Sequence, residues 1–205
     1  MTGITHHVVE ILKLMGEDIG RPGLVGTPGR VAKAYGQLFE GYRQNPKDFI
    51  KIFEEDAADE MIVSSNIRVQ SFCEHHMLPF VGTAKVAYIP SRVKRPVDEP
   101  PSSSVVVGPT VLSTDQYRVL GISKITRIVN CFSRRLQIQE RLTQQIANFI
   151  MSSDLNPRGV GVVIEAEHMC MSLRGVRDHS SHMNTSCLLG VFKQPEVRQE
   201  FLNLG

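Results

Sequence analysis

The side chains in this chain best suited to chemistry are Cys73-Glu74-His75-His76 and, almost a hundred residues later, His168-Met169-Cys170. Thiolate and imidazole are the preferred ligands of zinc. Cys73 and His76 are three apart, so one turn of backbone can aim both at one ion, and Cys170 can supply a third bond from a distant segment. Three protein ligands leave the fourth tetrahedral position to water, the arrangement of a catalytic rather than a structural zinc. His75 and His168 then stand beside the metal as proton carriers, a set suited to metal-assisted attack of water. A cysteine is equally at home as an inert small hydrophobe, and that reading suits Cys131 and Cys187. A purely structural zinc, with one of these two completing the shell, stays open on residue types alone.

Other residues extend the site. Ser123-Lys124-Ile125-Thr126-Arg127 reads as a helix start with two cations at i, i+3. A helix N-terminus already favours anions, so cations in its first turn oppose the dipole unless an anion binds there. Arg174, just past Cys170, can join them. Gln139-Glu140 opens the next helix. Glu in a first turn is ordinary dipole chemistry, and it is also a carboxylate that could accept paired N–H donors from a purine edge. If the strand leading to Cys170 continues through it, His168 and Cys170 share a face, with Glu165 and Glu167 on the other.

The elements that must hold these residues follow from periodicity. Ile4, Val8, Ile11, Leu12 and Met15 repeat at helical spacing. Thr27-Pro28 supplies an N-cap hydroxyl and a first-turn proline for a second helix carrying Val31, Tyr35, Leu38 and Phe39. The period then changes. Met61 to Val69 reads as a strand or hairpin and Gly82 to Ile89 as a second strand, with the Cys-Glu-His-His turn between them. Two helices follow: one capped by Ser123 and running from Lys124 to about Arg135, the other from about Gln139 to Ser152. Gly159 to Cys170 and Thr185 to Phe192 read as strands, and Pro195 begins a terminal helix. This order predicts an α+β fold, an antiparallel β-sheet with two helices packed on one face, preceded by N-terminal helices. The expected division is an N-terminal helical region, 1–60, and a catalytic domain, 61–205.

Residues 91–118 differ from their surroundings. Four of the chain's 11 prolines (Pro96, Pro100, Pro101, Pro109) and Ser102-Ser103-Ser104 fall there. The span reads as an exposed, mobile insertion or a lid.

Composition narrows the function classes. The 205 residues are 41% hydrophobic and 21% charged, as in an ordinary globular protein. No apolar run approaches the roughly 18–20 residues that span a bilayer, and no signal pattern opens the chain. The expected location is the cytoplasm, where the four cysteines stand as thiols. A net charge of +2 and the absence of Trp argue against nucleic acid.

Taken together, several segments resemble GTP cyclohydrolase I: Cys73-Glu-His-His76, Val86-Ala-Tyr-Ile-Pro90, Leu120-Gly-Ile-Ser-Lys-Ile-Thr-Arg127, Gln137-Ile-Gln-Glu-Arg-Leu-Thr143, Glu167-His-Met-Cys170 and Arg174-Gly-Val-Arg177. Thr27-Pro-Gly-Arg-Val-Ala-Lys33 and Arg198-Gln-Glu-Phe-Leu202 also look like that family. The resemblance implies the tunnelling fold, a homodecamer with sites at subunit interfaces, and Zn2+ as cofactor. It implies conversion of GTP and water to 7,8-dihydroneopterin triphosphate and formate, the first step towards folate or tetrahydrobiopterin. By the same resemblance, Cys73, His76 and Cys170 are the zinc ligands. His168 protonates the ring nitrogen, His75 is a second catalytic histidine, and Ser123 lies near the ribose. Glu74, Ile138, Gln139 and Glu140 belong to the substrate pocket, with Gln139 and Glu140 as the guanine-recognising pair. Lys124, Arg127 and Arg174 hold the triphosphate, and Arg30 reaches it from a neighbouring subunit.

The segment from about Ser91 to Arg118 departs from the family, as related sequences usually cross this gap in a few residues. With its first residues so close to the first helix, the chain is expected to carry no long N-terminal tail of the kind that could carry regulation. Two rival readings differ in chemistry. A nitrile reductase of the same fold needs a nucleophilic Cys and a nicotinamide cofactor rather than zinc. A purine-binding regulator without turnover has no use for His75 and His168.

Overall fold

The computed structural model describes residues 2–55, 60–93, 104–107, 110–113 and 116–204. Its centre is a sheet of five strands in the order β7-β2-β3-β8-β9. These are β2 (Ile62–Cys73), β3 (Pro79–Ile89), β7 (Leu136–Gln137), β8 (Gly159–His168) and β9 (Met183–Gly190). The four long strands are antiparallel, and the two-residue β7 runs parallel to β2.

Alternation along β8 explains its place. Val160, Val162, Ile164 and Ala166 are buried on one face. Two helices cover that face: α3 (Ile122–Ser133) lies against β2, and α4 (Gln139–Met151) against β8 and β9. Ile125, Ile128, Val129 and Phe132 of α3, at i, i+3, i+4 and i+7, form one buried stripe. Leu142, Ile146 and Ile150 do the same for α4. The opposite face is covered at one end by Phe192 and by Phe201 of the terminal helix α6 (Pro195–Asn203), in a cluster with Ala87 and Ile89. Gly161 of β8 faces Phe192, whose ring would lie 2.6 Å from any added Cβ.

The register between β3 and β8 runs without interruption from Ile89↔Gly159 to Phe80↔His168. Gly82 lies within it, and a Cβ there would fall 1.9 Å from the Glu165 carbonyl. A bulge between Ser64 and Ile67 interrupts the β2–β3 ladder, with Asn66 at φ 55. Asn tolerates the left-handed region because its short side chain hydrogen-bonds locally.

The N-terminal helices α1 (Thr2–Leu14) and α2 (Thr27–Leu38) pack on each other. The Thr27 hydroxyl is not the cap of α2. Gly26 occupies the N-cap, and Thr27 Oγ1 donates back to the Gly23 carbonyl at 3.2 Å. Ser123 likewise is not a cap: α3 begins one residue earlier, with Gly121 as its N-cap.

The segment expected as a loop over 91–118 contains regular structure. Strands β4 (Ser104–Val107) and β5 (Thr110–Ser113) pair with each other. Strand β6 (Tyr117–Leu120) pairs with β1 (Ile52–Glu55), and Arg92 bridges to Tyr117. Short apolar runs flanked by Pro and Gly make a hairpin as readily as a loop, and the composition concealed it. Pro96, Pro100, Pro101, Pro109, Ser102 and Ser103 lie outside the described residues. So do Asp56 and Asp59. Among the described residues, no helix is long and apolar enough to cross a membrane.

Candidate active site

Strand β2 ends at Cys73, and the chain reverses at once. Cys73 N donates to the Leu78 carbonyl and Met77 N to the Cys73 carbonyl, both at 2.8 Å. Met77 takes φ 53 to close the turn. The turn is pinned to the neighbouring β7 by Glu74 N, which donates to the Gln137 carbonyl at 3.0 Å. His75 and His76 are thereby exposed at the end of strand β2 while Cys73 stays buried. His75 Nδ1 lies 3.7 Å from Cys73 Sγ.

Cys170 reaches the same place by a different route from the one expected. The strand ends at His168, and Met169–Ser172 form a single helical turn, α5. The i, i+2 argument for His168 and Cys170 therefore fails at the last step, because the backbone leaves the strand between them. The helical turn still brings Cys170 to the Cys73 turn: the ligand atoms of Cys73, His76 and Cys170 all lie within 4.8 Å of one another. Cys131 and Cys187 are not in this group. Cys131 is buried, with its thiol directed at the Gln44 carbonyl. Cys187 sits in β9 opposite Val162.

Two thiols and one imidazole make a donor set for a soft or borderline cation. A tetrahedral zinc with bonds of about 2.0–2.3 Å places its ligand atoms roughly 3.5–4 Å apart, so small rotamer adjustments close this set. The thiol chemistry agrees. Burial, and then Cys73 beside it, push the Cys170 thiol above its ordinary range. A divalent cation between the sulfurs would reverse that preference by stabilising thiolates. The residues therefore fit a bound metal ion.

His168 closes β8 beside this group. Its ring stacks on Phe80, directly opposite in the register, with centroids 4.6 Å apart and planes 8° apart. Its Nε2 lies 2.8 Å from Gln139 Oε1. Burial lowers the basicity of the imidazole, and the Glu140 carboxylate opposes that shift. Gln139 and Glu140 sit side by side at the start of α4 but face differently: Gln139 is fully buried and Glu140 exposed. The Gln139 side chain is occupied by the sheet, because Nε2 donates to the carbonyls of Ile164 and Met183 and to Thr185 Oγ1. Ile138, half-buried, is the N-cap of α4.

The remaining candidates lie on exposed or half-buried surface. Ser123, Lys124 and Arg127 occupy the first turns of α3. That helix start is tied to the sheet by Tyr88, whose hydroxyl accepts from Leu120 N at 2.8 Å. Arg174 follows α5 and is exposed. Glu74 forms an ion pair with Arg141 of α4. Arg30, on α2, donates to the Gly23 carbonyl at 3.2 Å and to Thr27 Oγ1 at 2.8 Å. Among the described residues no hydrogen bond or ion pair joins Arg30 to the Cys73–Cys170 group.

Sequence reasoning missed two partners. Phe80 reads as an ordinary strand residue, and its stack on His168 depends on a cross-strand register that no local pattern reports. Arg141 stands inside a recognised motif, and its charge next to Glu140 was the available signal.

Comparison with known proteins agrees over nearly the whole chain. The family model for GTP cyclohydrolase I matches residues 4–95 and 110–205. The internal unmatched residues, 96–109, are fewer than the 91–118 span read from composition. GTP cyclohydrolase 1 of Leptospira biflexa serovar Patoc is 46% identical over 200 residues, covering 96% of this chain and 94% of that protein. The enzyme of the same name from Caldanaerobacter subterraneus subsp. tengcongensis is 46% identical over 198 residues, covering 96% and 92%. That of Parabacteroides distasonis is 44% identical over 200 residues, covering 97% and 89%. Among solved structures, the archaeosine synthase QueF-Like in the apo form has a TM-score of 0.43 at 14% identity, over 65% of this chain and 97% of that one, a likeness too loose to carry an argument. With its metal-ligand turn, its histidine and its helix starts all inside the matched residues, the chain belongs to the GTP cyclohydrolase I family.

Proposed function

We propose that this protein is a zinc-dependent hydrolase that converts GTP and water to 7,8-dihydroneopterin triphosphate and formate. The observation that carries the reading is the convergence of Cys73, His76 and Cys170, from segments far apart in sequence, beside a stacked and hydrogen-bonded His168. Zinc held by these three residues supplies Lewis acidity and an ionisable water close to a bound purine. The chain's own groups do the rest. The exposed Glu140 carboxylate accepts from the N1–H and 2-amino group of guanine, a pair of donors that adenine lacks. His168 delivers a proton to the imidazole ring nitrogen as the ring opens, and His75 serves as the second proton carrier. Lys124, Arg127 and Arg174 bind the triphosphate, and Ser123 acts near the ribose in the later rearrangement.

The catalytic domain is residues 61–205, and the helices of 1–60 serve assembly, although that region is not wholly helical, because its strand β1 pairs with β6. Arg30 belongs to that region and completes the triphosphate site of a neighbouring copy in a homodecamer. Exposed apolar side chains on and after α1 support a role in association: Ile11 is 54% exposed, Leu14 87% and Met15 72%. The enzyme works in the cytoplasm.

The test is to incubate zinc-replete protein with GTP, quantify formate, and look for pterin fluorescence after oxidation. Formate and neopterin triphosphate in equal amounts are expected. Formate without pterin would remove the rearrangement from the reading and implicate the Ser123 region. No product from a folded, zinc-loaded assembly would overturn the proposed reaction.

A further inference from the structure

Gln139 has no polar atom left over for a ligand. Its Nε2 donates to the Ile164 carbonyl at 2.9 Å, the Met183 carbonyl at 2.8 Å and Thr185 Oγ1 at 3.1 Å. Its Oε1 meets His168 Nε2 at 2.8 Å. Carbonyl oxygens only accept, so the corner of the amide facing Ile164 and Met183 must be the NH2. Turning the amide over would set Oε1 against two carbonyl oxygens around a fully buried side chain, an acceptor facing acceptors with no hydrogen between them.

The hydroxyls fix the same orientation. Thr143 Oγ1 spends its one proton on the Gln139 carbonyl, at 2.8 Å. The 2.7 Å contact between Thr143 and Thr185 is then donated by Thr185. Thr185 Oγ1 then turns a lone pair to Gln139, where at 3.1 Å it can share one of the two NH2 hydrogens, as the NH2 assignment requires.

Oε1, facing His168, can only accept, so His168 Nε2 must carry a hydrogen. A neutral imidazole has one N–H and one lone-pair nitrogen, and the lone pair falls to Nδ1. Phe80 holds the ring plane by stacking.

We propose that Gln139 is a positioning residue that fixes His168 as the Nε2–H tautomer, making Nδ1 the nitrogen that exchanges protons with substrate. When the ring acts as an acid, the N–H bond at Nδ1 breaks, its electron pair stays on the imidazole, and the proton bonds to the substrate nitrogen. The Nε2–H bond to Gln139 persists throughout. This deepens the reaction proposed above and rests on it for the identity of the substrate. It also moves the Gln139 side chain from reading guanine to orienting the acid, leaving side-chain recognition of the base to Glu140.

The test begins with the zinc-loaded, unsubstituted protein. Solid-state 15N NMR of histidine-labelled protein at about pH 8, where an ordinary imidazole is neutral, is compared with the spectrum of His168→Gln to assign the signals. A protonated Nε2 and an unprotonated Nδ1 are expected for His168. A proton on Nδ1 would overturn the proposal. This reading needs neither turnover nor a core variant, so it stands or falls separately from the assignment of GTP. The second measurement is Gln139→Met, which keeps length and removes the acceptor. The variant should retain zinc, lose kcat about 100-fold, and keep KM within about twofold. A raised KM at unchanged kcat would make the side chain a substrate contact and overturn the positioning role.

Discussion

At the residue scale, the site combines a Cys-His-Cys group that could hold a metal ion with a histidine held from two sides. Cys170 is the member whose removal is most informative, because it enters from a different segment than Cys73 and His76. Cys170→Ala is expected to fold and to lose its zinc, measured by atomic absorption after gel filtration. A full metal complement in that variant would mean another residue completes the set. His168 is distinct from the ligands, since its ring bonds Gln139 and stacks on Phe80. His168→Ala should keep zinc and GTP binding while formate release falls about 10²- to 10⁴-fold, the usual weight of a positioned acid or base. Turnover at the original rate would remove the residue from the chemistry.

At the scale of elements, two features set the site. The Cys73 turn hangs from the end of β2 and is pinned to β7 by Glu74 N. The β3–β8 ladder sets Phe80 opposite His168. Gly82 lies two residues from Phe80 in that ladder, at a point where a side chain has no room. The atom in its way is a backbone carbonyl that cannot swing aside without breaking the pairing. Gly82→Ala is therefore expected to destabilise the fold by about 1–3 kcal/mol, as overpacking does. Urea denaturation would show this as a lower midpoint at similar slope. An unshifted midpoint would mean the ladder can open at no cost. The helix faces and most strands were legible in the sequence, since α3, α4 and β8 announce themselves by period. Their ends were not. Gly121 rather than Ser123 caps α3, and the strand stops before Cys170. Both boundaries depend on hydrogen bonds to other segments, such as Gly121 N to the Lys51 carbonyl at 3.1 Å.

At the scale of the whole molecule, α1 carries exposed apolar residues and Arg30 lies on the surface, so the proposed assembly can be tested directly. Co-assembled Arg30→Ala and His168→Ala chains should recover activity that neither has alone, if one copy lends its arginine to another's site. Mixed assemblies as inactive as the parents would place Arg30 in its own subunit's site or outside the chemistry. Residues 96–109, which the family model leaves unmatched, are expected to be dispensable. A chain lacking them should keep turnover within about threefold at intact zinc content, as loop shortening changes closure entropy only slowly. A dead but assembled deletion would make the segment part of the active enzyme.

The sequence by itself determined which side chains could bind a metal and carry protons, and which faces of the helices are buried. Those properties reside in residue type and in spacing within a single element. It also carried the family resemblance, whose motifs are local strings. Tertiary structure alone decided that Gln139 turns inward to hold His168 while Glu140 stays exposed, that Phe80 stacks on that ring, and that Glu74 pairs with Arg141. Each of these joins segments distant along the chain. Cross-strand register and the seating of α4 on β8 and β9 set them, and a period within one element does not report the position of another.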